Sequence, residues 1–364
     1  MSLSFRNEID ITVLLSGATI ADVAIKPRNR PPLTRLFAGK PAASLLPVLP
    51  RLFSLCSIAH HVAFQSAVEA AQGREAAPAT VRRRVTAVVV ERLTELLRGL
   101  FVGRLALGGT NAPAVRAVMQ ASALLGGADE GVPPALRRDA VVQIKAALGA
   151  IGIAGEEDET PAPSSPLAAS VAGCHGKLVS EPKGDPSFLT VADDLDIVTR
   201  LLADGAAYSD APDLCGRIPE TGVWARRARR EAVSAAEAGS AARLKARIAE
   251  VARLSAWLDR GDADLDEGVV ASYRLGAGKG AAAVECARGR LHHAVALDDE
   301  DRVVNFEFLA PTEWNFHARG PLVRSLKGAT LATGRQGQEA VRALVGSFDP
   351  CVGFSLRFRE AGHA

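Results

Sequence analysis

Residues 81–101 read VRRRVTAVVVERLTELLRGLF, and the spacing of their apolar side chains decides the fold class. Val85, Val88, Val89, Leu93, Leu96 and Leu97 recur at the 3.6-residue helical period, so Val81 to Phe101 is expected to be a long helix with one apolar stripe to bury. The same spacing appears upstream from Ser54 to Gln72, through Leu55, Ile58, Val62, Ala63, Ala67 and Ala70. Downstream it returns over Ala114–Leu125, Leu136–Leu148, Thr190–Ala203 and an Ala/Arg-rich stretch from Trp224 to Asp259, with a kink expected at Gly239. Near the N-terminus the period changes to two. Ile9–Leu15 and Ala18–Ile25 flank Ser16-Gly17 as a hairpin, followed by a short helix over Leu33–Lys40. Past Gly280 the segments Ala281–Glu285, Leu291–Leu297 and Val303–Leu309 are β-type, the last two joined by a turn over Asp298–Asp301. Gly155–Pro166 is an acidic, Pro/Ser-rich break. The expectation is mainly α (α+β), a helical core with small β elements from both terminal segments.

The 364 residues are 48% hydrophobic, enough to bury one sizeable core or two smaller ones. Lys+Arg is 43 and Asp+Glu is 41, a formal net charge of +2, which argues against a dedicated nucleic-acid binder. No apolar run reaches the roughly 18–20 residues that span a bilayer. Met1–Asp10 lacks the apolar core of a signal peptide. Five widely spaced cysteines do not form a disulfide framework, so a cytoplasmic location is expected.

Two cysteines share a local setting. Ser54-Leu55-Cys56 and Asp349-Pro350-Cys351 each place a helix-capping residue just ahead of a thiol, with Pro350 suited to a first helical position. In a first helical turn the macrodipole and free N–H groups favour thiolate, which suits a soft-metal ligand or a nucleophile. The plainer reading, an ordinary small buried residue, stays open for each. His292-His293 lies on an expected strand, where adjacent side chains face opposite ways, so at most one imidazole faces any site. The same caution covers His60-His61, and Cys174-His175 has no partners at ligand spacing. With no CxxC, no HExxH and no GxGxxG opening a helix after a strand, zinc fingers, zincins and Rossmann sites are unsupported.

Four stretches in order carry a family resemblance. Arg51-Leu52-Phe53-Ser54-Leu55-Cys56-Ser57-Ile58-Ala59-His60 resembles an RxCGxCxxxH motif, keeping Arg51, Cys56 and His60 but with Phe53 at the first cysteine. Ile218-Pro219-Glu220-Thr221-Gly222-Val223-Trp224-Ala225-Arg226 resembles P-E-T-G-x-x-A-R. Glu285-Cys286-Ala287-Arg288-Gly289-Arg290-Leu291-His292-His293 resembles E-A-P-R-G-x-L-x-H and is followed by Pro311-Thr312-Glu313-Trp314-Asn315, like P-T-x-W-N. Ser347-Phe348-Asp349-Pro350-Cys351-Val352-Gly353-Phe354 resembles S-F-D-P-C-x-x-C, with Phe354 at the second cysteine. The chain thus resembles the NiFe hydrogenase large subunit, and more closely the large-subunit-like maturation proteins, the hydrogenase expression/formation proteins of the HupK/HoxV type.

The resemblance implies a central bundle of long helices within one large-subunit-like domain over 1–364. Its parts are a hairpin and short helix (1–50), helices (51–150), a linker or loop (151–189), helices (190–280), and a β hairpin with a C-terminal cysteine helix (281–364). In the catalytic family four thiolates hold nickel, and two of them bridge to an iron carrying cyanide and carbon monoxide. With Phe53 and Phe354 at two of those positions, the resemblance implies no nickel, no catalytic residue and no enzyme. Arg357 replaces a histidine, the E-G-H glutamate context is missing around Asn7–Leu15, and no cleavable extension is expected beyond Ala364.

What the resemblance retains is the iron half. Cys56 and Cys351 are the expected metal ligands. Arg288, Pro311 and Thr312 form the expected pocket for cyanide ligands, with His60, Asp349 and Arg51 supporting from behind. The implied function is a maturation scaffold that transiently carries an Fe(CN)2(CO) unit. Its partners would be the hydrogenase maturation complex proteins that supply the unit and the hydrogenase large subunit that receives it. The alternatives are an assembly chaperone without iron and a redox enzyme with another metal. No role is assigned to Cys174, Cys215 or Cys286, though Cys286 stands two residues before Arg288.

Overall fold

A computed structural model describes residues 8–104, 112–126, 133–153, 155, 160–172, 187–231, 239–260 and 268–361. The N-terminal hairpin is β1 (Glu8–Ser16) with β2 (Thr19–Lys26), as the period-two pattern predicts. Helices α1 (Leu33–Phe37) and α2 (Leu49–Leu52) lead into α3 (Ser57–Ala71), α4 (Pro78–Arg104), α5 (Ala112–Gly126) and α6 (Pro134–Ile151). Next come α7 (Pro166–Ala172), α8 (Asp194–Asp204), α9 (Ala206–Asp210), α10 (Val223–Glu231) and α11 (Ser240–Arg260). The second β unit is β3 (Val270–Gly276), β4 (Lys279–Cys286), β5 (Gly289–Leu297) and β6 (Val303–Leu309). It is followed by α12 (Pro311–Asn315), α13 (Pro321–Leu326), α14 (Arg335–Ser347) and β7 (Gly353–Glu360).

Three apolar clusters hold these elements. The largest joins α3, α4, α5, α6 and α11 to the inner face of the antiparallel sheet β3-β4-β5-β6. Its centre is the stripe read at Val88, Val89, Leu93, Leu96 and Leu97, all buried. Helix α3 lies directly on β4. A Cβ at Gly280 would collide with the backbone of Ala67 and Ala71, so only glycine permits this approach. A second cluster packs α13 and α14 on a sheet of order β2-β1-β7, in which β7 runs parallel to β1. A third gathers α8, Tyr208 and Trp314 on the far side of β4 and β5.

Several expectations need correction. The helix expected from Ser54 starts at Ser57, after Cys56 in a left-handed conformation (φ 54°), so Ser54 is not its cap. The expected C-terminal cysteine helix does not form. Asp349 is also left-handed (φ 51°), which stops α14, and the chain continues past Cys351 into β7. Phe354, Leu356 and Phe358 alternate there against the sheet core. Trp224–Asp259 is described as α10 and α11, with 232–238 between them outside the described residues. Strand β3 and helix α7 were not anticipated.

Buried ion pairs fasten the layers. Arg226, from the PETG-like stretch, is 1% exposed and bonds Glu250 of α11 (Nη2–Oε1 2.6 Å) and Glu285 of β4 (Nη1–Oε1 2.6 Å). It also donates to the carbonyls of Cys286 (3.2 Å) and Ala287 (3.0 Å), clamping the β4–β5 turn. Arg92 of α4 joins Glu250 at 2.7 Å. Asn315 and Thr221 exchange two hydrogen bonds of 3.0 Å, which tie the PTxWN-like and PETG-like stretches together.

Candidate functional site: a thiol-lined cavity with two guanidiniums

The β4–β5 turn, the start of α3, and the segments before α12 and β7 converge on one cavity of about 90 Å3. Cys56, Cys286 and Cys351 line it with Arg28, Arg288 and Pro311. Two of these cysteines and Arg288 with Pro311 were anticipated. Cys286 and Arg28 were not assigned. The sequence signal for Cys286 is its place two residues before Arg288. The signal for Arg28 is a pair of arginines, Arg28 and Arg30, in a connection too rich in proline for helix or strand.

Arg288 organises the floor. It is 7% exposed, donates to the Cys56 sulfur at 3.3 Å, and grips Glu95 Oε2 through both terminal nitrogens at 3.1 Å. Its Nε lies 3.8 Å from Asp349 Oδ2, which is also 3.5 Å from Arg247. Arg288 and Asp349 thus form an ion pair, and Glu95 is a carboxylate the sequence reading missed. Burial lowers the affinity of Arg288 for its proton, but Asp349, Cys56 and Glu95 overcome this and hold it firmly charged. Across the cavity Arg28 bonds Glu313 (2.9 and 3.1 Å), and it also lines an outer cleft of about 1140 Å3. Two fixed cations facing three sulfurs suit an anionic guest.

The thiols differ in setting. Cys56 and Cys286 are both buried on the cavity wall. The neighbouring Cys286 thiol, then burial, keeps the Cys56 proton well above the ordinary thiol range, and the Cys56 thiol in turn lowers Cys286. The pair releases one proton readily and the second reluctantly. Helix α3 does not activate Cys56 as expected, because its leading N–H groups are already taken. Those of Ile58 (2.7 Å) and Ala59 (2.9 Å) donate to the Glu91 carboxylate. Cys351 is half-buried, and Thr312 Oγ1 donates to its sulfur at 3.0 Å. Thr312 accordingly reaches the cavity through Cys351, while Pro311 forms part of its wall.

Other anticipated residues land elsewhere. His60 lines the cavity, but its Nδ1 meets His293 Nε2 at 2.9 Å, and it bonds no sulfur among the described residues. Burial holds both imidazoles neutral, with His293 near 3. His292 faces the other way and meets Asp194 at 3.0 Å, the opposed orientation expected on a strand. Arg51 is exposed near the end of α2, and the extended Phe53 that follows is buried. Phe53 lines the cavity. Phe354 does not, since it pairs in register with Ile9 in the terminal sheet. Cys215 is exposed in a turn, and Cys174-His175 lies outside the described residues. Among the described residues no group of three or more His, Cys, Asp or Glu is arranged to hold a metal ion. Nor is any described helix long and apolar enough to cross a membrane.

The nickel-dependent hydrogenase family matches residues 224–356. A hydrogenase expression/formation protein HupK from Bradyrhizobium diazoefficiens is 81% identical over the full length of both chains. The chain belongs to the HupK family of hydrogenase expression/formation proteins. A family member from Rhizobium leguminosarum bv. viciae is 34% identical over 98% of each chain. An NAD+-reducing NiFe hydrogenase chain superposes with a TM-score of 0.60 over 93% of this chain and 94% of its own, at 15% identity. The fold is that of the NiFe hydrogenase large subunit. In this HupK-family chain that fold carries a cavity with phenylalanine where the resemblance places one nickel-site cysteine, and a second phenylalanine withdrawn into a sheet.

Proposed function

We propose that the chain is a maturation scaffold that transiently carries an Fe(CN)2(CO) unit from the hydrogenase maturation complex to the hydrogenase large subunit. The observation that supports it is the grouping of Cys56, Cys351 and Arg288 on one small cavity. The cargo brings three strong-field ligands of its own, so it needs only a few protein donors, and thiolates suit its iron. The cyanides carry the negative charge, and charge-assisted hydrogen bonds from Arg288 or Arg28 would each contribute on the order of 1.5–3 kcal/mol. A carrier must also let go. A cavity with Phe53 in place of a sulfur holds its cargo less tightly than four thiolates would. No catalytic cycle belongs to this role.

The test is infrared spectroscopy with metal analysis on protein purified from hydrogenase-expressing cells. Wild type should show CO and CN stretching bands with iron, and Cys56→Ala and Cys351→Ala should lose them. Absence of bands in wild type, or bands unchanged in both variants, overturns the reading. A second reading is an assembly chaperone that binds maturation partners without iron. The lack of a ready three-donor group among the described residues favours it. It predicts copurification with the large subunit and no bands.

A further inference from the structure

We infer that Cys286 is a sulfur ligand to the cargo, forming with Cys56 a buried two-thiolate floor in the cavity that Cys351 also lines. This rests on the carrier reading above and adds a donor to it. Cys286 and Ala287 stand where the E-A-P-R-G motif has alanine and proline, so the sulfur at 286 is an addition to the pattern. It arrives in the cavity that has phenylalanine, Phe53, at a lost cysteine position. The gain and the loss are on the same walls.

Three further observations carry the assignment. Cys286 and Cys56 are both buried and line the same cavity of about 90 Å3, small enough for one guest to meet both. Cys286 ends β4, and the turn it opens is held rigid. Arg226 grips the carbonyls of Cys286 and Ala287, and Gly289 (φ 133°) packs so closely on Thr221 and Gly222 that no larger residue fits. Finally, the Arg288 guanidinium donates to the Cys56 sulfur at 3.3 Å. Such N–H···S bonds stabilise a metal-bound thiolate by drawing off charge. Binding breaks two S–H bonds, forms two Fe–S bonds and releases two protons to solvent, with no change in iron oxidation state. Cys351, half-buried and held by Thr312, stands nearer the opening.

The experiment compares wild type, Cys286→Ala and Cys286→Ser, each purified from hydrogenase-expressing cells, by infrared bands, iron per chain and thermal unfolding. Alanine is the residue of the motif, so the variant should fold with a wild-type transition. The expected result is iron per chain lowered on the order of tenfold or more, with any remaining CO and CN bands displaced. Wild-type iron content with unshifted bands in Cys286→Ala overturns the assignment while leaving the carrier reading intact. Absence of bands in wild type overturns both. If only the alanine variant unfolds early, the serine variant decides by the same two readouts.

Discussion

The ring of Phe53 lies flat on the imidazole of His60, with centroids 3.6 Å apart and planes 1° from parallel. His60 is bonded in turn to His293, and both pack against Phe308. The residue that removes a sulfur thus belongs to a buried aromatic stack. Phe53→Ala should lower stability by about 3 kcal/mol or more through the void it opens. Urea unfolding checks this, and a loss below about 1 kcal/mol would show that the stack contributes little.

The Arg288–Glu95 pair is buried, so removing one partner strands the other. Arg288→Met should destabilise by about 3–5 kcal/mol. Adding Glu95→Leu should recover part of the loss and not all, since Asp349 also faces this guanidinium. Denaturant midpoints for the two single variants and the double variant measure the coupling.

Two buried groups give opposing pH trends. Burial pushes the Glu91 carboxyl up to about 7 from 4.5, against its bonds from Ile58 and Ala59. The folded chain keeps this proton longer than the unfolded chain does. Stability from this source is therefore highest at low pH and falls by about 3 kcal/mol as pH rises from 4.5 to 7. His60 and His293 act the other way. Burial depresses both below 6.5, so their contribution is present above 6.5 and lost on acidification, by about 1.4 kcal/mol per pH unit per group. Glu91→Gln should unmask the histidines, giving a curve that falls toward acid more steeply than wild type. Urea midpoints between roughly pH 5 and 8 test the sign.

Gly280→Ala places a methyl group against the backbone of Ala67 and Ala71. Helix α3 must lift from β4, at a cost of about 1–3 kcal/mol, and Cys56 moves with it. The expected outcome is a lowered melting temperature together with altered CO and CN bands. Unchanged stability would mean that helix and sheet separate freely.

Much of this fold is legible in the period of its apolar residues. The stripe on α4, the N-terminal hairpin and strands β4 to β6 follow their patterns because packing and propensity agree there. The misreadings fall where backbone torsion overrides pattern. Asp349-Pro350 has the composition of a helix start, yet a left-handed Asp349 ends one helix and delivers Cys351 to a strand. Cys56 sits at the same kind of corner. The period-two signal of β7, Phe354-Leu356-Phe358, was present but masked by that capping pattern. At the site, Cys56, Cys351, Arg288 and Pro311 line one cavity as motif order implies, while Arg51 lies outside its lining. Glu91 and Glu95 carry no local signal. Their roles arise from contacts between segments far apart in sequence, which no window of neighbouring residues contains.

The parallel pairing of β1 with β7 also has a temporal meaning. Strand β1 is among the first segments to leave the ribosome, and it waits with a bare edge while the helices are made. Cys351 lies just ahead of the strand that docks on that edge. On the carrier reading proposed above, loading would therefore wait until β7 has been made and has docked, and a half-made polypeptide would not sequester the cargo.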